Sequence, residues 1–149
     1  MAIRTMHNVG YVVEDLPGMV AFLTELGMEL EGGQTVQGPW IDGCIDLDDA
    51  ICEIAMLRTP DGHGRFELSR YVQPLPDDRP APRRVNDVGY LRVMFEVDDL
   101  DDTLARLRPY GCEVLREVVQ YEDVFRLCYV RGPEGILLGL SEQVGQVRS

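Results

Sequence analysis

Two charged side chains, Glu67 and Arg92, are the strongest candidates for chemistry in this chain of 149 residues. The alternation of apolar and polar residues along the predicted strands places both on the sheet face opposite the helices. A carboxylate enclosed there has a raised pKa unless a cation holds it charged, so Glu67 could act as a general base, a hydrogen-bond acceptor or an anchor for a cation. A structural ion pair between Glu67 and Arg92 is the alternative, and the two roles are compatible.

The same alternation adds Asn8, Met94 and Glu96 to this polar face. Glu96 stands nearer the beginning of a helix, where we expect more contact with water. A face that carries so many polar side chains does not suit a closed core. We therefore expect two curved sheets that enclose a cavity.

Two aromatic residues fall in predicted loops, Trp40 in the loop 34–50 and Tyr121 in the loop 117–125. An aromatic ring at the mouth of a cavity can stack on a planar ligand, and it can equally cover the edge of a sheet. Both interpretations stay open for both residues.

The two histidines have no motif around them. His7 would enter the cavity only if the first strand shifted by one residue, and that shift would turn Val9, Tyr11 and Val13 out of the core. We therefore interpret His7 as structural, and His63 as an exposed turn residue. No Ser-His-Asp or Cys-His arrangement can be argued, and no glycine-rich phosphate motif is present.

The elements that position these residues occur twice, about 84 residues apart. Each copy has a strand, an acidic turn and a helix that ends at a glycine, Gly27 or Gly111, followed by three further strands. Strands are predicted at 6–13, 28–36, 50–58 and 64–71 in the first copy, and at 89–97, 112–119, 125–131 and 136–141 in the second. The fold class is therefore α+β, with two tandem β-α-β-β-β modules that form an open, barrel-like cavity.

The chain reads as a single domain of residues 1–149. Module 1 covers about 5–73 and module 2 about 88–143. The intervening linker, 74–87, is rich in proline and charge.

The net charge of −12 disfavours phosphate backbones and anionic lipid, so no nucleic acid or membrane partner is expected. A cationic or neutral ligand is penalised less. No apolar run reaches the roughly 20 residues of a membrane span, and the N-terminus lacks the apolar core of a signal peptide, which favours a cytoplasmic location. The 4 cysteines lie far apart and are expected to be reduced.

The repeated module resembles the vicinal oxygen chelate superfamily, which includes glyoxalase I, extradiol dioxygenases and bleomycin resistance proteins. The resemblance rests on the strand-to-helix turns Val-Val-Glu-Asp-Leu and Glu-Val-Asp-Asp-Leu and on the turns Pro-Asp-Gly and Pro-Glu-Gly. In metal-dependent members, a histidine near the start of the first strand of each module and a carboxylate in the last strand hold a divalent cation.

By this resemblance the ligand positions fall on Asn8 and Glu67 in module 1 and on Arg92 and Gly139 in module 2. Only Glu67 keeps a ligand side chain. One carboxylate and one amide bind a dication weakly, and a guanidinium about 4 Å away would repel it by several kcal/mol. No cofactor is therefore expected. An atypical metal site at Glu67 and His7 is the alternative.

Two functions are compatible with these observations. The first is a metal-independent protein that binds a small organic ligand in the cavity between the modules. Its expected contact residues are Asn8, Trp40, Met94, Glu96, Tyr121 and Gly139. The second is a lyase or isomerase that uses Glu67 as base beside Arg92, or that acts with an atypical divalent metal site. A homodimer is expected, because superfamily members commonly pair through sheet edges.

Overall fold

The computed structural model describes residues 2–77 and 83–146, so residues 78–82 of the predicted linker lie outside the described part of the chain. The chain divides into two compact units, Met1–Arg79 and Pro80–Ser149. Each unit contains one sheet with a helix that packs on it, and the α+β class predicted from the sequence is confirmed.

The first unit forms a sheet of four strands in the order β1-β4-β3-β2. β1 runs parallel to β4, and the other neighbours are antiparallel. The elements are β1 (Val9–Val12), α1 (Leu16–Leu26), β2 (Glu29–Gln37), α2 (Pro39–Ile45), β3 (Ile51–Arg58) and β4 (Arg65–Gln73).

The second unit repeats this plan with the strand order β5-β9-β8-β6, and β7 pairs with β8 as well. β5 runs parallel to β9, as β1 does to β4. The elements are β5 (Val93–Glu96), α3 (Leu100–Leu107), β6 (Glu113–Val114), β7 (Val119–Tyr121), β8 (Phe125–Arg131) and β9 (Leu137–Gln143), with short 3₁₀ helices at Arg108–Tyr110 and Pro133–Gly135.

Helices α1 and α3 each begin at an aspartate, as the acidic turns predict. The side chain of Asp15 accepts a hydrogen bond from the backbone N–H of Gly18 (3.0 Å), and that of Asp99 accepts one from Asp102 (2.9 Å). Gly27 stops α1 with φ of +125°, a conformation that side chains rarely adopt.

The apolar faces of α1 and α3 each pack on one face of their own sheet. Leu57 and Leu68 lie fully buried under α1, and Val130 and Leu140 are fully buried in the second unit. The opposite face of each sheet therefore carries the polar positions, as the alternation predicts. We call it the open face.

The prediction that residues 34–50 form a loop is wrong for Pro39–Ile45, because these residues form α2. Pro39 occupies the first turn, where its fixed φ favours a helix, and the sequence signal is weakened by Gly43. The carboxylate of Asp42 accepts hydrogen bonds from the backbone N–H groups of Asp49 (3.0 Å) and Ala50 (2.9 Å) and so fastens the chain that leads into β3.

The predicted strand 112–119 is two short strands, β6 and β7. Val114 pairs with Val130, and Val119 pairs with Leu127. The edge segment therefore advances five residues between these two pairs, whereas β8 advances only three. Two extra residues therefore interrupt the ladder, as in an enlarged bulge.

The predicted strands 6–13 and 89–97 are shorter than expected, since only Val9–Val12 and Val93–Glu96 are strand. Their partners β4 and β9 begin at Arg65 and Leu137, directly after turns. The preceding residues therefore find no ladder partner in their own sheet.

Candidate functional site

Glu67 lies on the open face of the first sheet, between Gly10 of β1 and Met56 of β3. Asn8 precedes β1, and its Nδ2 donates a hydrogen bond to Glu67 Oε2 (3.3 Å). A Cβ added at Gly10 would meet no atom within 4 Å, so open space adjoins this strand position. Asn8 thus fixes one oxygen of a half-buried carboxylate beside that space.

Three further polar side chains, Cys52, Ser69 and Tyr71, share this face. Burial raises the pKa of the Cys52 thiol, the hydrogen bond with Ser69 opposes this rise, and the charge of Glu67 adds to it. Burial also raises the pKa of the Tyr71 phenol, with smaller contributions from Cys52 and Glu67. The open face of the first sheet therefore carries negative potential and neutral hydroxyl and thiol groups at pH 7.

Arg92 takes the corresponding place on the second sheet. It directly precedes β5, is exposed, and its Cζ lies 4.8 Å from the centroid of the Tyr129 ring on β8. This distance is within the range of a cation–π interaction. The guanidinium is thus held by one of its faces against an aromatic ring.

Gly139 lies on β9 between Met94 of β5 and Tyr129 of β8. A Cβ at Gly139 would lie 2.8 Å from Cε of Met94, so the methionine side chain covers this glycine. Met94 remains 41% exposed. The second open face therefore presents a cation, an aromatic ring and a thioether side by side along neighbouring strands.

The other predicted site residues are all exposed. Glu96 pairs with Ser141 on the same open face, further along β5. Trp40 is 66% exposed but lies on α2 and not in a loop, and Tyr121, 62% exposed, is the last residue of β7 and not a loop residue. His7 is exposed and adjoins Asn8 in sequence only.

Sequence reasoning missed Tyr129 and the residues that surround Arg92. The signal was present, because the chain repeats the tripeptide Tyr-x-Arg as Tyr90-Leu91-Arg92 and Tyr129-Val130-Arg131. Sequence reasoning also missed Cys52 and Tyr71. They lie opposite each other in the antiparallel register of β3 and β4, which runs without interruption from the pair Arg58–Arg65 to the pair Cys52–Tyr71.

Comparison with known proteins identifies the family. Residues 5–140 match the Glyoxalase/Bleomycin resistance protein/Dioxygenase superfamily. The chain belongs to this superfamily. None of the curated proteins compared with the chain matches it.

Solved structures of superfamily members agree with this assignment. A glyoxalase family protein from Bacillus cereus is 48% identical, with a TM-score of 0.90 and coverage of 97% of this chain and 99% of that chain. A glyoxalase family protein from Enterococcus faecalis is 19% identical (TM-score 0.60, coverage 95% and 100%).

A mutant of the fosfomycin resistance protein of Listeria monocytogenes, in complex with Mn(II) and a dihydroxypropylphosphonic acid, is 15% identical (TM-score 0.61, coverage 97% and 93%). At 15% and 19% identity the likeness establishes the fold alone.

The superfamily's divalent metal does not fit the residues of this chain. Its four positions supply the carboxylate of Glu67, the amide of Asn8, the guanidinium of Arg92 and no side chain at Gly139. The amide N–H of Asn8 already donates to the carboxylate, and Met94 fills the space over the glycine. Within residues 2–77 and 83–146, no three His, Cys, Asp or Glu side chains come together as metal ligands. Within the same residues, no helix is long and apolar enough to cross a membrane.

Proposed function

We propose that this superfamily member binds a small organic ligand on the open faces of its sheets, without a metal, in the manner of the bleomycin resistance branch. The observation that carries the proposal is the exchange of side chains at the positions where metal-dependent relatives hold their cation. An amide-bound carboxylate, a stacked guanidinium and a methionine over a glycine recognise polar and aromatic groups of an organic molecule, whereas they coordinate a dication poorly.

The first open face contributes hydrogen-bonding and electrostatic recognition. Glu67 accepts from Asn8 through Oε2, and ligand donors can approach its other oxygen from the open space at Gly10. Tyr71 adds a phenol that is protonated at neutral pH, and burial raises its pKa further. This face therefore suits a ligand group that donates hydrogen bonds or carries positive charge.

The second open face contributes Arg92, Met94, Glu96 and Gly139 to our proposed set of contacts. Trp40 and Tyr121, both largely exposed, complete the set as aromatic surfaces that a planar ligand could cover. Because Trp40 is the only tryptophan in the chain, its fluorescence reports on α2 alone.

A ligand panel tests the proposal. Purified protein, with its metal content measured, is screened by thermal shift against amines, planar aromatic compounds and carboxylates, and Trp40 fluorescence follows the hits. We expect at least one class to stabilise the protein equally with and without a chelator. We expect Glu67→Gln to weaken amine binding roughly tenfold, while Glu117→Gln, the same change at an exposed position, leaves it unchanged.

Two results would contradict the proposal. One is a binding signal that appears only when a stoichiometric divalent metal is present. The other is chemical conversion of a bound compound, followed by NMR over time, which Glu67→Gln abolishes. That second result would establish the lyase or isomerase alternative, with Glu67 as the base.

A further inference from the structure

Two arginines and two tyrosines of the second unit pair crosswise. Arg92 stacks on Tyr129, with 4.8 Å from its Cζ to the ring centroid, and the Cζ of Arg131 lies 6.0 Å from the centroid of Tyr90. Each pair therefore joins one Tyr-x-Arg tripeptide to the other. The segment that enters β5 is held against β8 by both pairs.

The two arginines differ in what their N–H groups do. Arg131 donates from Nη1 to the hydroxyl of Tyr90 (3.2 Å) and to the carbonyl of Gly135 (3.1 Å), and from Nη2 to the carbonyl of Arg83 (2.7 Å). Tyr90 in turn donates its own hydroxyl to the Gly135 carbonyl (2.6 Å). Arg131 is thus a structural residue whose two Nη atoms both donate hydrogen bonds within the protein.

Arg92 has no such partners in the described chain. Over residues 2–77 and 83–146, no protein acceptor receives its N–H groups and no carboxylate lies within ion-pairing distance. Glu96, four residues further along an extended backbone, stands about 13 Å away. The guanidinium therefore keeps its N–H edges for a ligand, while one of its faces is covered by Tyr129.

The neighbour of Arg92 on the same face is Met94, about 7 Å further along the chain. Its thioether covers Gly139 and is 41% exposed, so an apolar and polarisable surface lies beside the free guanidinium edges. A guanidinium edge binds a carboxylate through two parallel hydrogen bonds, and a thioether contacts an aromatic ring favourably.

We propose that this part of the second open face is a subsite for aromatic carboxylates, with the carboxylate on Arg92 and the ring on Met94. The inference rests on the proposed ligand-binding function and specifies the chemical class that the second sheet recognises. Tyr90 and Arg131 act as positioning residues, because they fix the backbone segment from which Arg92 projects. Tyr129 orients the guanidinium by stacking on it.

Benzoate is the probe, compared with neutral benzamide and cationic benzamidine, which share its ring. Titrations followed by ¹H–¹⁵N NMR, including the arginine Nε–Hε signals, should show benzoate binding with shifts at Arg92. The carboxylate should bind roughly tenfold or more tightly than the amide, since only the carboxylate forms a charge-assisted pair.

Four variants assign the contact. Arg92→Gln should weaken benzoate binding roughly tenfold or more, whereas Arg108→Gln, which removes an equal charge from the 3₁₀ helix, should change it less than about twofold. Arg92→Lys should give an intermediate loss, because a lysine keeps the charge and loses the paired donors. Tyr90→Phe should shift the Arg92 Nε–Hε signal even without ligand, which a purely structural role elsewhere would not do.

Equal affinity for benzoate and benzamide would overturn the proposal, as would equal losses in Arg92→Gln and Arg108→Gln, or no benzoate binding to the wild-type chain. If amines bind in a Glu67-dependent manner while benzoate does not bind, the subsite fails and the proposed function stands. If no compound of the panel binds, both fail.

Discussion

Replacement of Gly139 by alanine tests whether the side chain of Met94 fills the space over residue 139. This residue is the equivalent of Glu67 in the first module. A Cβ at residue 139 would lie 2.8, 3.2 and 3.3 Å from Cε, Cγ and Cβ of Met94. The Cγ and Cε atoms can move when the side-chain torsions of Met94 rotate, but Cβ cannot, because Met94 and Gly139 are paired across β5 and β9. Overpacking lowers the free energy of unfolding by about 1–3 kcal/mol. The alanine also makes the unfolded chain less flexible, which raises the free energy of unfolding by about 0.4–1 kcal/mol. We expect a net loss of about 1 kcal/mol in the free energy of unfolding.

The assay is urea unfolding followed by circular dichroism for Gly139→Ala, Met94→Ala and the double variant. Met94→Ala removes Cγ and Cε, so Gly139→Ala should cost little in that background, with a coupling energy of about 1 kcal/mol. Gly10→Ala is the matched control. Gly10 is the counterpart of Met94 in the first module, and a Cβ there would meet nothing within 4 Å. Equal effects of Gly139→Ala and Gly10→Ala, or strict additivity of the pair, would refute the steric argument.

Three further outcomes are expected. Asn8→His should bind Ni²⁺ roughly tenfold or more tightly than wild type, measured by calorimetry, because the change places an imidazole beside Glu67. Adding Glu67→Gln to this variant should abolish the gain in affinity. Equally tight binding by the wild type would show that the existing residues already hold a metal. Burial raises the pKa of Cys112 from 9.0 to about 11, with smaller contributions from Cys128 and Glu113. The unfolded state therefore releases this proton first, and the free energy of unfolding should fall by up to about 3 kcal/mol as pH rises through that window, an effect that Cys112→Val should remove. Light scattering should give twice the mass of the chain, because exposed edge strands such as β2 favour pairing of two copies. A monomer at micromolar concentration would contradict this expectation.

The sequence predicts those parts of the fold that depend on local patterns. The aspartates before α1 and α3, the glycine after α1 and the alternation along β4 and β9 correctly indicate these elements and their open faces. The parallel register is the same in both modules, with Gly10 opposite Glu67 and Met94 opposite Gly139. The equivalence of Asn8 with Arg92 follows from it.

The misses are contacts that depend on strand register and on packing between distant segments. Tyr71 faces Cys52 through the antiparallel register of β3 and β4, which joins segments distant in sequence. β6 separates from β7 because two extra residues enter the edge. This insertion has no local signature, since residues 115–118 contain neither glycine nor proline. The stacking of Arg92 on Tyr129 likewise requires knowing which strand neighbours β9.

The two modules differ in which member of an equivalent residue pair is large. The pair is Gly10 and Glu67 in the first module, and Met94 and Gly139 in the second. In the first, Gly10 leaves room beside Glu67; in the second, Met94 fills the room beside Gly139. A glutamate restored at position 139 alone would therefore meet Met94 before it could reach a ligand, and a matching change of Met94 to glycine is required. The glycine at position 139 and the methionine at position 94 are thus sterically coupled. Arg92 adds a guanidinium on the same open face, and we propose that this face therefore suits an organic molecule better than a divalent metal.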